Sequence, residues 1–199
     1  MKTKSPHPIS LLDGIKTHPL IEVYFEFAQL KQLYRQGWLK RSIPSSRCES
    51  VADHSMGVAV LAMFISEVHF PDLDALKILR MSLIHDFGEI YAGDVTPDDQ
   101  IDQNKKYRTE REAVKKVFSK LPQGAEYIAL WEEYEKRETP EARFVRQVDR
   151  LEMGLQASIY QAQGLTSTSE FFESAKKVVL SPELKEIIEE LEEQFYSKR

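Results

Sequence analysis

The sequence has little of what marks secreted, membrane or fibrous proteins. Its 199 residues include a single cysteine, Cys48, so no internal disulfide can form and nothing indicates an oxidising compartment. Residues 1–10 have no apolar core, and we expect no secretory signal there. The longest apolar run, residues 58–65, is too short to span a bilayer. Together these features predict a soluble, cytoplasmic globular protein.

Positive charge is also scarce. The 27 Lys and Arg residues are outnumbered by 32 Asp and Glu residues, which gives a net charge of −5 at neutral pH. A mildly acidic surface argues against broad electrostatic attraction to nucleic acid or to anionic lipid. We therefore expect neither a nucleic acid nor a membrane among the partners.

Strand patterns are missing, while apolar residues recur at spacings of three and four along the whole chain. This periodicity predicts an all-α fold, a single helical bundle over residues 1–199. We expect its core over about 20–163 and a C-terminal helical extension over about 164–199. The predicted helices span about 19–36 (closed by Gly37), 51–68 (capped by Ser50 or Asp53), 74–91, 105–121, 125–136 (one broken helix or two short ones), 141–163 and 184–196.

A histidine and an aspartate stand together after the most apolar segment of the chain. Residues 78–84 are apolar nearly all round, so the following His85 and Asp86 should lie in the interior. A buried ionisable pair is costly unless a metal or a partner compensates it. On a continuous helix Glu89 would share their side, and Gly88 would mark a close approach by a ligand or another helix. A hydrogen-bonded core pair remains the alternative interpretation.

Two further residues make a metal site plausible. His54 begins one helix, and Asp149 lies among apolar residues of another. Two imidazoles and two carboxylates from three helices form a donor set that suits a divalent transition metal, namely Mn, Fe, Co, Ni or Zn. Four protein ligands would leave open positions for water or for a phosphate oxygen.

The order His, His-Asp, Asp on successive helices resembles the HD-domain metal-dependent phosphohydrolase superfamily. Several segments are similar to its 5′-deoxynucleotidase branch, and the similarity covers about residues 30–160. These segments are residues 47–55 (RCESVADHS), 85–94 (HDFGEIYAGD), 131–135 (WEEYE) and 141–145 (EARFV).

This resemblance implies a function and a set of site residues. Members of the branch remove phosphate from 2′-deoxyribonucleoside 5′-monophosphates with ions such as cobalt or manganese, and they form homodimers. The implied metal ligands are His54, His85, Asp86 and Asp149. Glu89 and Asp94 are implied as acids around the reacting phosphate.

An arginine and a tryptophan before the first ligand contact the nucleotide in such enzymes. The candidates in this sequence are Trp38, Arg41 and Arg47. Trp38 could instead be an ordinary packed aromatic residue beside Gly37.

Two further features of the sequence limit the number of metal ions and the possible reactions. Binuclear members recruit extra histidines before the final Asp, and no histidine follows His85, which favours a single ion. Stringent-response hydrolases carry Glu-Asp where this chain has Glu89 and Ile90, which argues against their activity. Two alternatives stay open: another nucleotide specificity, such as a nucleoside triphosphatase or a cyclic-nucleotide phosphodiesterase, and a non-catalytic binding module that a metal stabilises.

Overall fold

The computed structural model describes residues 1–196, and the regular structure in that part of the chain is helical. Apart from two isolated β-bridges, Thr3 to Leu33 and Tyr34 to Ser50, these residues form no strand, which confirms the all-α prediction. The α-helices are α1 (Pro19–Gln32), α2 (Gln36–Lys40), α3 (Val51–His69), α4 (Ala75–Ile84), α5 (Glu89–Ala92), α6 (Gln103–Phe118), α7 (Gly124–Lys136), α8 (Pro140–Ala162), α9 (Ser169–Lys176) and α10 (Pro182–Phe195), and the 3-10 helices are Pro8–Leu12 and Pro97–Asp99.

Helices α3, α4 and α8 pack against one another at the centre of the molecule. Their contact faces are fully buried, with Val58 on α3, Met81 on α4 and Val148 on α8 among the inaccessible side chains. Ser50 caps α3, and Asp53 completes the capping box by accepting from the Ser50 backbone N–H. Each of these three helices supplies or immediately precedes a predicted metal ligand.

Helix α3 is longer than the apolar run of residues 58–65 that it contains. An 18-residue stretch of this 19-residue helix has a mean hydropathy of 1.4, so by length and composition alone the helix could cross a membrane. In the fold, 44% of that stretch is buried, because α3 packs between α4 and α8. A core helix meets the same criterion, and α3 is one.

The first predicted helix is wrong at its C-terminal end. It stops at Gln32, and Gly37 lies inside a separate short helix, α2. Residues 33–35 are extended because their backbone pairs with a distant segment: Val51 N–H donates to Leu33 O (2.9 Å) and Arg35 N–H donates to Glu49 O (3.1 Å). Long-range pairing therefore overrides local helical periodicity here.

The predicted helix over residues 74–91 is also interrupted. Helix α4 ends at Ile84, and α5 begins only at Glu89. Between them, Nδ1 of His85 lies 2.7 Å from Ser82 O, and Trp131 Nε1–H donates to His85 O (2.9 Å). Glu89 thus reaches the site from a new helix and not from the helix of His85.

Gly88 permits the close approach that the sequence indicated. A Cβ atom at this position would lie 2.5 Å from Cβ of Glu110 on α6. The neighbour is another helix, so a side chain at position 88 would push α6 away from the turn that carries His85 and Asp86.

The region that we expect to be a C-terminal extension packs onto the same core. Helices α9 and α10 lie against α8, and Phe172, Val179, Leu184 and Ile188 are buried in the hydrophobic cluster shared with the earlier helices. The sequence pattern does not predict helix α9. Residues 125–136 lie in one continuous helix, so both the broken helix and the two short helices are wrong. The last three residues of the expected extension lie outside the described residues.

Candidate metal and substrate site

Three helices bring the predicted metal ligands into one buried cluster. His54 lies in the first turn of α3, His85 and Asp86 directly follow α4, and Asp149 lies midway along α8. Nε2 of His54 is 3.3 Å from Oδ1 of Asp149 and 3.8 Å from Oδ2 of Asp86. Nε2 of His85 is 3.3 Å from the same Asp86 oxygen. Four residues from three widely separated segments of the sequence therefore face one point.

The atoms that meet at this point fit a metal ion. Nε2 of His54, Nε2 of His85 and Oδ2 of Asp86 are buried and have no hydrogen-bond partner among residues 1–196. Buried polar atoms are normally paired, so three unpaired atoms in one place indicate a ligand of another kind. Ligand atoms of His54, His85 and Asp149 all lie within 4.8 Å of one another. Two imidazole nitrogens with carboxylate oxygens are the donors of a divalent transition-metal site.

Neighbouring groups fix how these ligands point. Nδ1 of His85 faces the carbonyl oxygen of Ser82, and Nδ1 of His54 lies 2.5 Å from Oε2 of Glu152. Both neighbours only accept hydrogen bonds, so Nδ1 of each ring carries a proton and Nε2 is the ring atom left to face a cation.

Asp149 is oriented through its other oxygen. Oδ2 accepts hydrogen bonds from Tyr134 Oη–H (3.0 Å) and from Nη1 of Arg146 (2.7 Å), while Oδ1 faces His54. One oxygen is thereby held by the protein and the other is presented to the cluster.

The charges around the site determine the ionisation of Asp86 and Asp149. Burial favours the neutral acid at both Asp86 and Asp149, yet the charges around them prevail. His85, His54 and Arg35 lower the pKa of Asp86, and Arg150, His54 and Arg146 lower the pKa of Asp149. Both ligand carboxylates are therefore ionised.

The pKa of His54 is raised, whereas those of the two aspartates are lowered. Burial and Arg35 oppose its protonation, but the carboxylates of Glu152 and Asp149 outweigh them and raise the pKa of His54 to about 10. The surroundings of the ring thus favour positive charge, which a metal ion supplies as well as a proton does.

Glu89 and Asp94 stand beside the ligand cluster. Glu89 is 5% exposed, and burial together with the charges of Asp86 and Asp94 raises the pKa of Glu89. Asp94 accepts from the backbone N–H of Gln36 (2.5 Å), the first residue of α2. Both side chains line the cavity that the ligands open into.

Arg35 connects these two acidic groups. Its Nη1 lies 3.7 Å from Oδ2 of Asp86 and 3.6 Å from Oδ1 of Asp94. It lines the same cavity and places a permanent positive charge beside the predicted ligands.

The cavity has a volume of about 470 Å³, which suits a small-molecule ligand. Its floor includes the predicted ligands His85, Asp86 and Asp149. Its walls come from α2, the segment after Asp94, the N-terminal half of α6, and α9. Trp38 and Phe171 form an aromatic part of the wall, with ring centroids 4.2 Å apart. The lining also includes basic side chains, namely Arg35, Arg41, Lys106, Arg137, Arg146 and Arg150.

The three candidate substrate contacts occupy different positions. Trp38 lines the cavity, but it is only 2% exposed and its Nε1–H donates to Glu49 (2.6 Å), so it is also a packed core residue. Arg41 lines the cavity at its rim, where it pairs with Asp98 (3.0 Å) and Glu170. Arg47 donates to Gln163 (2.6 Å) and is not among the lining residues.

Sequence reasoning missed Arg35, Tyr134 and Glu152. Glu152 follows Asp149 by three residues, so a helical projection of α8 could have placed both on one face. Arg35 and Tyr134 give no such local signal, since each meets the site through contacts that only the fold creates.

Comparison with known proteins identifies the family of this chain. The family model described as "HD domain" matches residues 27–192. The 5′-deoxynucleotidase HDDC2 of Bos taurus is 34% identical over 192 residues, covering 94% of this chain and 91% of that protein. The human 5′-deoxynucleotidase HDDC2 is 38% identical over 168 residues, covering 82% and 80%.

Solved structures show the same similarity. A predicted metal-dependent phosphohydrolase from Magnetospirillum magnetotacticum has a TM-score of 0.66 and 32% identity, covering 88% of this chain and 93% of that chain. A protein from Pyrococcus horikoshii has a TM-score of 0.73 and 33% identity, covering 86% and 97%.

Proposed function

The chain belongs to the HD domain family, and from this premise we propose that it is a metal-dependent 5′-deoxynucleotidase. It hydrolyses 2′-deoxyribonucleoside 5′-monophosphates to deoxynucleoside and phosphate. The observation that carries the proposal is the convergence of the unpaired atoms of His54, His85 and Asp86 next to a cavity of about 470 Å³, which His85, Asp86 and Glu89 line. The bovine and human relatives named 5′-deoxynucleotidase support the substrate class.

His54, His85, Asp86 and Asp149 would hold one divalent transition-metal ion, of Mn, Fe, Co, Ni or Zn. Such an ion, when bound, neutralises phosphate charge and lowers the pKa of a coordinated water. The protein positions the remaining participants around it.

Arg35 faces the phosphate and binds its oxygens, since its guanidinium lines the cavity next to Asp86. Glu89 orients the attacking water and, in its ionised form, takes the proton of that water. The positive charge of Arg35 lowers the pKa of Glu89, and a bound cation would favour the same ionised form. Asp94, anchored by the Gln36 backbone, assists the departing nucleoside oxygen or holds the sugar. Trp38 and Phe171 offer an apolar wall for the rest of the nucleotide.

The test is phosphate release by purified protein across deoxy- and ribonucleoside monophosphates, each with several added metals. We expect metal-dependent release from the deoxyribonucleotides. Nucleoside triphosphates and cyclic nucleotides are the matched controls, and turnover of either in preference to monophosphates would replace the proposal by that specificity. Bound metal without turnover of any nucleotide would indicate a binding module.

Sugar discrimination sharpens the same test. A site that packs closely around C2′ excludes a hydroxyl through steric clash and an unpaired polar group. We expect a higher kcat/KM for dAMP than for AMP. Equal values would contradict the deoxynucleotidase assignment and leave the metal site intact.

We further propose that the protein is a cytoplasmic homodimer whose partner is a free nucleotide and not a nucleic acid or a membrane. Met56, Phe64 and Val68 of α3 are 59%, 56% and 72% exposed, and their spacing places them on one face. A second copy covering this apolar stripe is consistent with their exposure. Light scattering of the purified protein reports the mass, and cell fractionation reports the location.

A further inference from the structure

His54 is held from behind by a residue outside the predicted site. Nδ1 of His54 on α3 lies 2.5 Å from Oε2 of Glu152 on α8, and both side chains are buried. The two residues are 98 positions apart in sequence, so the contact exists only because α3 and α8 pack together. A carboxylate can only accept here, so Nδ1 carries a proton and Nε2 is the atom left to face a metal ion.

The carboxylate of Glu152 occupies space that a missing side chain provides. Gly57 lies on α3 one turn after His54, and a Cβ atom there would be 2.6 Å from Oε1 and 3.1 Å from Cδ of Glu152. Glycine inside a helix costs about 1 kcal/mol relative to alanine. The clearance for Glu152 is a physical reason for a glycine at this position.

The atoms that would clash belong mainly to the end of a flexible side chain. Alanine at position 57 would therefore move the Glu152 carboxylate rather than separate the two helices. The expected consequence falls on the hydrogen bond to His54 and not on the core.

We propose that Glu152 is a positioning residue that fixes the tautomer and ring orientation of His54, and that Gly57 is the space that makes this contact possible. The proposal rests on the metal centre of the proposed function. Under this proposal, Glu152 and Gly57 both influence the metal affinity of that centre. Carboxylate partners of metal-ligating histidines typically contribute 10–100-fold in metal affinity.

The experiment measures Co²⁺ binding to the full-length protein, by competition with a chelator and by the visible absorption of the bound ion. We expect Glu152→Ala to weaken Co²⁺ binding about 100-fold and Glu152→Gln about 10-fold, within the range for such partners. The absorption spectrum should change in Glu152→Ala, since a rotated imidazole alters the ligand field. Glutamine keeps the shape of the glutamate side chain. If the alanine variant fails to fold, the Glu152→Gln variant can still be compared with the parent protein.

Glu26→Gln is the matched control. Glu26 is another fully buried glutamate, and it is bonded to Tyr91 Oη–H (2.5 Å) and Lys120 (2.8 Å), neither of which is a predicted ligand. It should lose stability without any change in Co²⁺ affinity or spectrum. An equal loss of affinity in Glu26→Gln and Glu152→Gln would overturn the proposal, because general destabilisation would then explain both.

Gly57→Ala tests the second half of the proposal. Alone, it should weaken Co²⁺ binding by about 10-fold or more with a small change in melting temperature. In the Glu152→Ala background it should have no further effect, because the clashing carboxylate is gone. The same loss in both backgrounds would show that Gly57 acts independently of Glu152.

Parental Co²⁺ affinity and spectrum in folded Glu152→Ala and Glu152→Gln would refute the positioning role, whatever the enzyme hydrolyses. Conversely, the proposed function fails if the parent protein binds Co²⁺ but releases no phosphate from any deoxynucleotide. The two failures are thus separately visible.

Discussion

The floor of the cavity and its rim are built in different ways. The side chains of His85 and Asp149 on the floor are 1% and 6% exposed, and His54 directly behind them is 1% exposed. All three lie on or directly follow the long central helices. At the rim, Arg41 is 33% exposed and pairs with Asp98, which is 51% exposed. Helix packing fixes the floor, whereas ion pairs of the kind that contribute about 0–1 kcal/mol hold the rim. The chemistry should therefore tolerate changes at the rim far better than changes at the floor.

The largest effect is expected for a ligand on the floor. His85→Ala removes one of two imidazoles from the cluster, and we expect loss of bound metal together with loss of phosphate release. Elemental analysis and a phosphate assay measure the two quantities. His69→Ala, an exposed histidine at the end of α3, is the matched control and should change neither. Normal metal content in His85→Ala would show that this residue is not a ligand.

Glu89→Gln separates chemistry from metal binding on the same floor. Glutamine keeps the shape of the side chain but cannot take a proton, so we expect kcat to fall about 10²–10⁴-fold with metal content unchanged. The measurement is kcat beside elemental analysis for both proteins. A fully metallated variant with parental kcat would leave Glu89 with a purely structural role.

Arg35 lies between floor and rim and should give an intermediate effect. Lysine keeps the charge but lacks the planar fork that binds phosphate oxygens in pairs. Losing one hydrogen bond to a charged group costs about 1.5–3 kcal/mol, so we expect kcat/KM of Arg35→Lys to fall about 10–100-fold. Steady-state kinetics at constant metal measure this ratio. Unchanged kcat/KM would place the phosphate elsewhere in the cavity.

Substitutions at the rim should have small effects on activity. In Arg41→Ala the exposed pairs with Asp98 and Glu170 are lost, and we expect KM to rise less than about fivefold. The effect should shrink further at high salt, because exposed charges are screened. A KM increase above 50-fold would show that Arg41 binds substrate directly.

The smallest effect is expected at Arg47. Its guanidinium bonds to Gln163 and does not line the cavity, so Arg47→Ala should leave kcat and KM unchanged. Comparing it with Arg41→Ala under identical conditions removes the general effect of losing one positive charge. A specific rise in KM for Arg47→Ala would mean that the substrate extends beyond the described cavity.

The same contrast explains what the sequence could predict. The helices that carry the floor have long apolar stretches and recognisable caps, so Ser50 and the apolar run before His85 indicate their positions correctly. The bend at residues 33–35 depends on backbone bonds to residues 49 and 51, and no local pattern reports these. Arg35 lies in that bend, and its contribution to the site therefore became visible only in the fold.

The end of helix α4 at Ile84 has an electrostatic consequence. In an uninterrupted α-helix the carbonyl oxygen of Ser82 would accept from the backbone N–H of Asp86. Here Nδ1 of His85 lies 2.7 Å from that oxygen, next to the end of α4. The last carbonyl groups of a helix carry about half a negative charge between them, which attracts cations over the first few ångströms. Because α4 ends directly before His85, the negative end of its backbone dipole lies beside the ligand cluster. Peptide groups as well as side chains therefore contribute to the attraction for a positive ion.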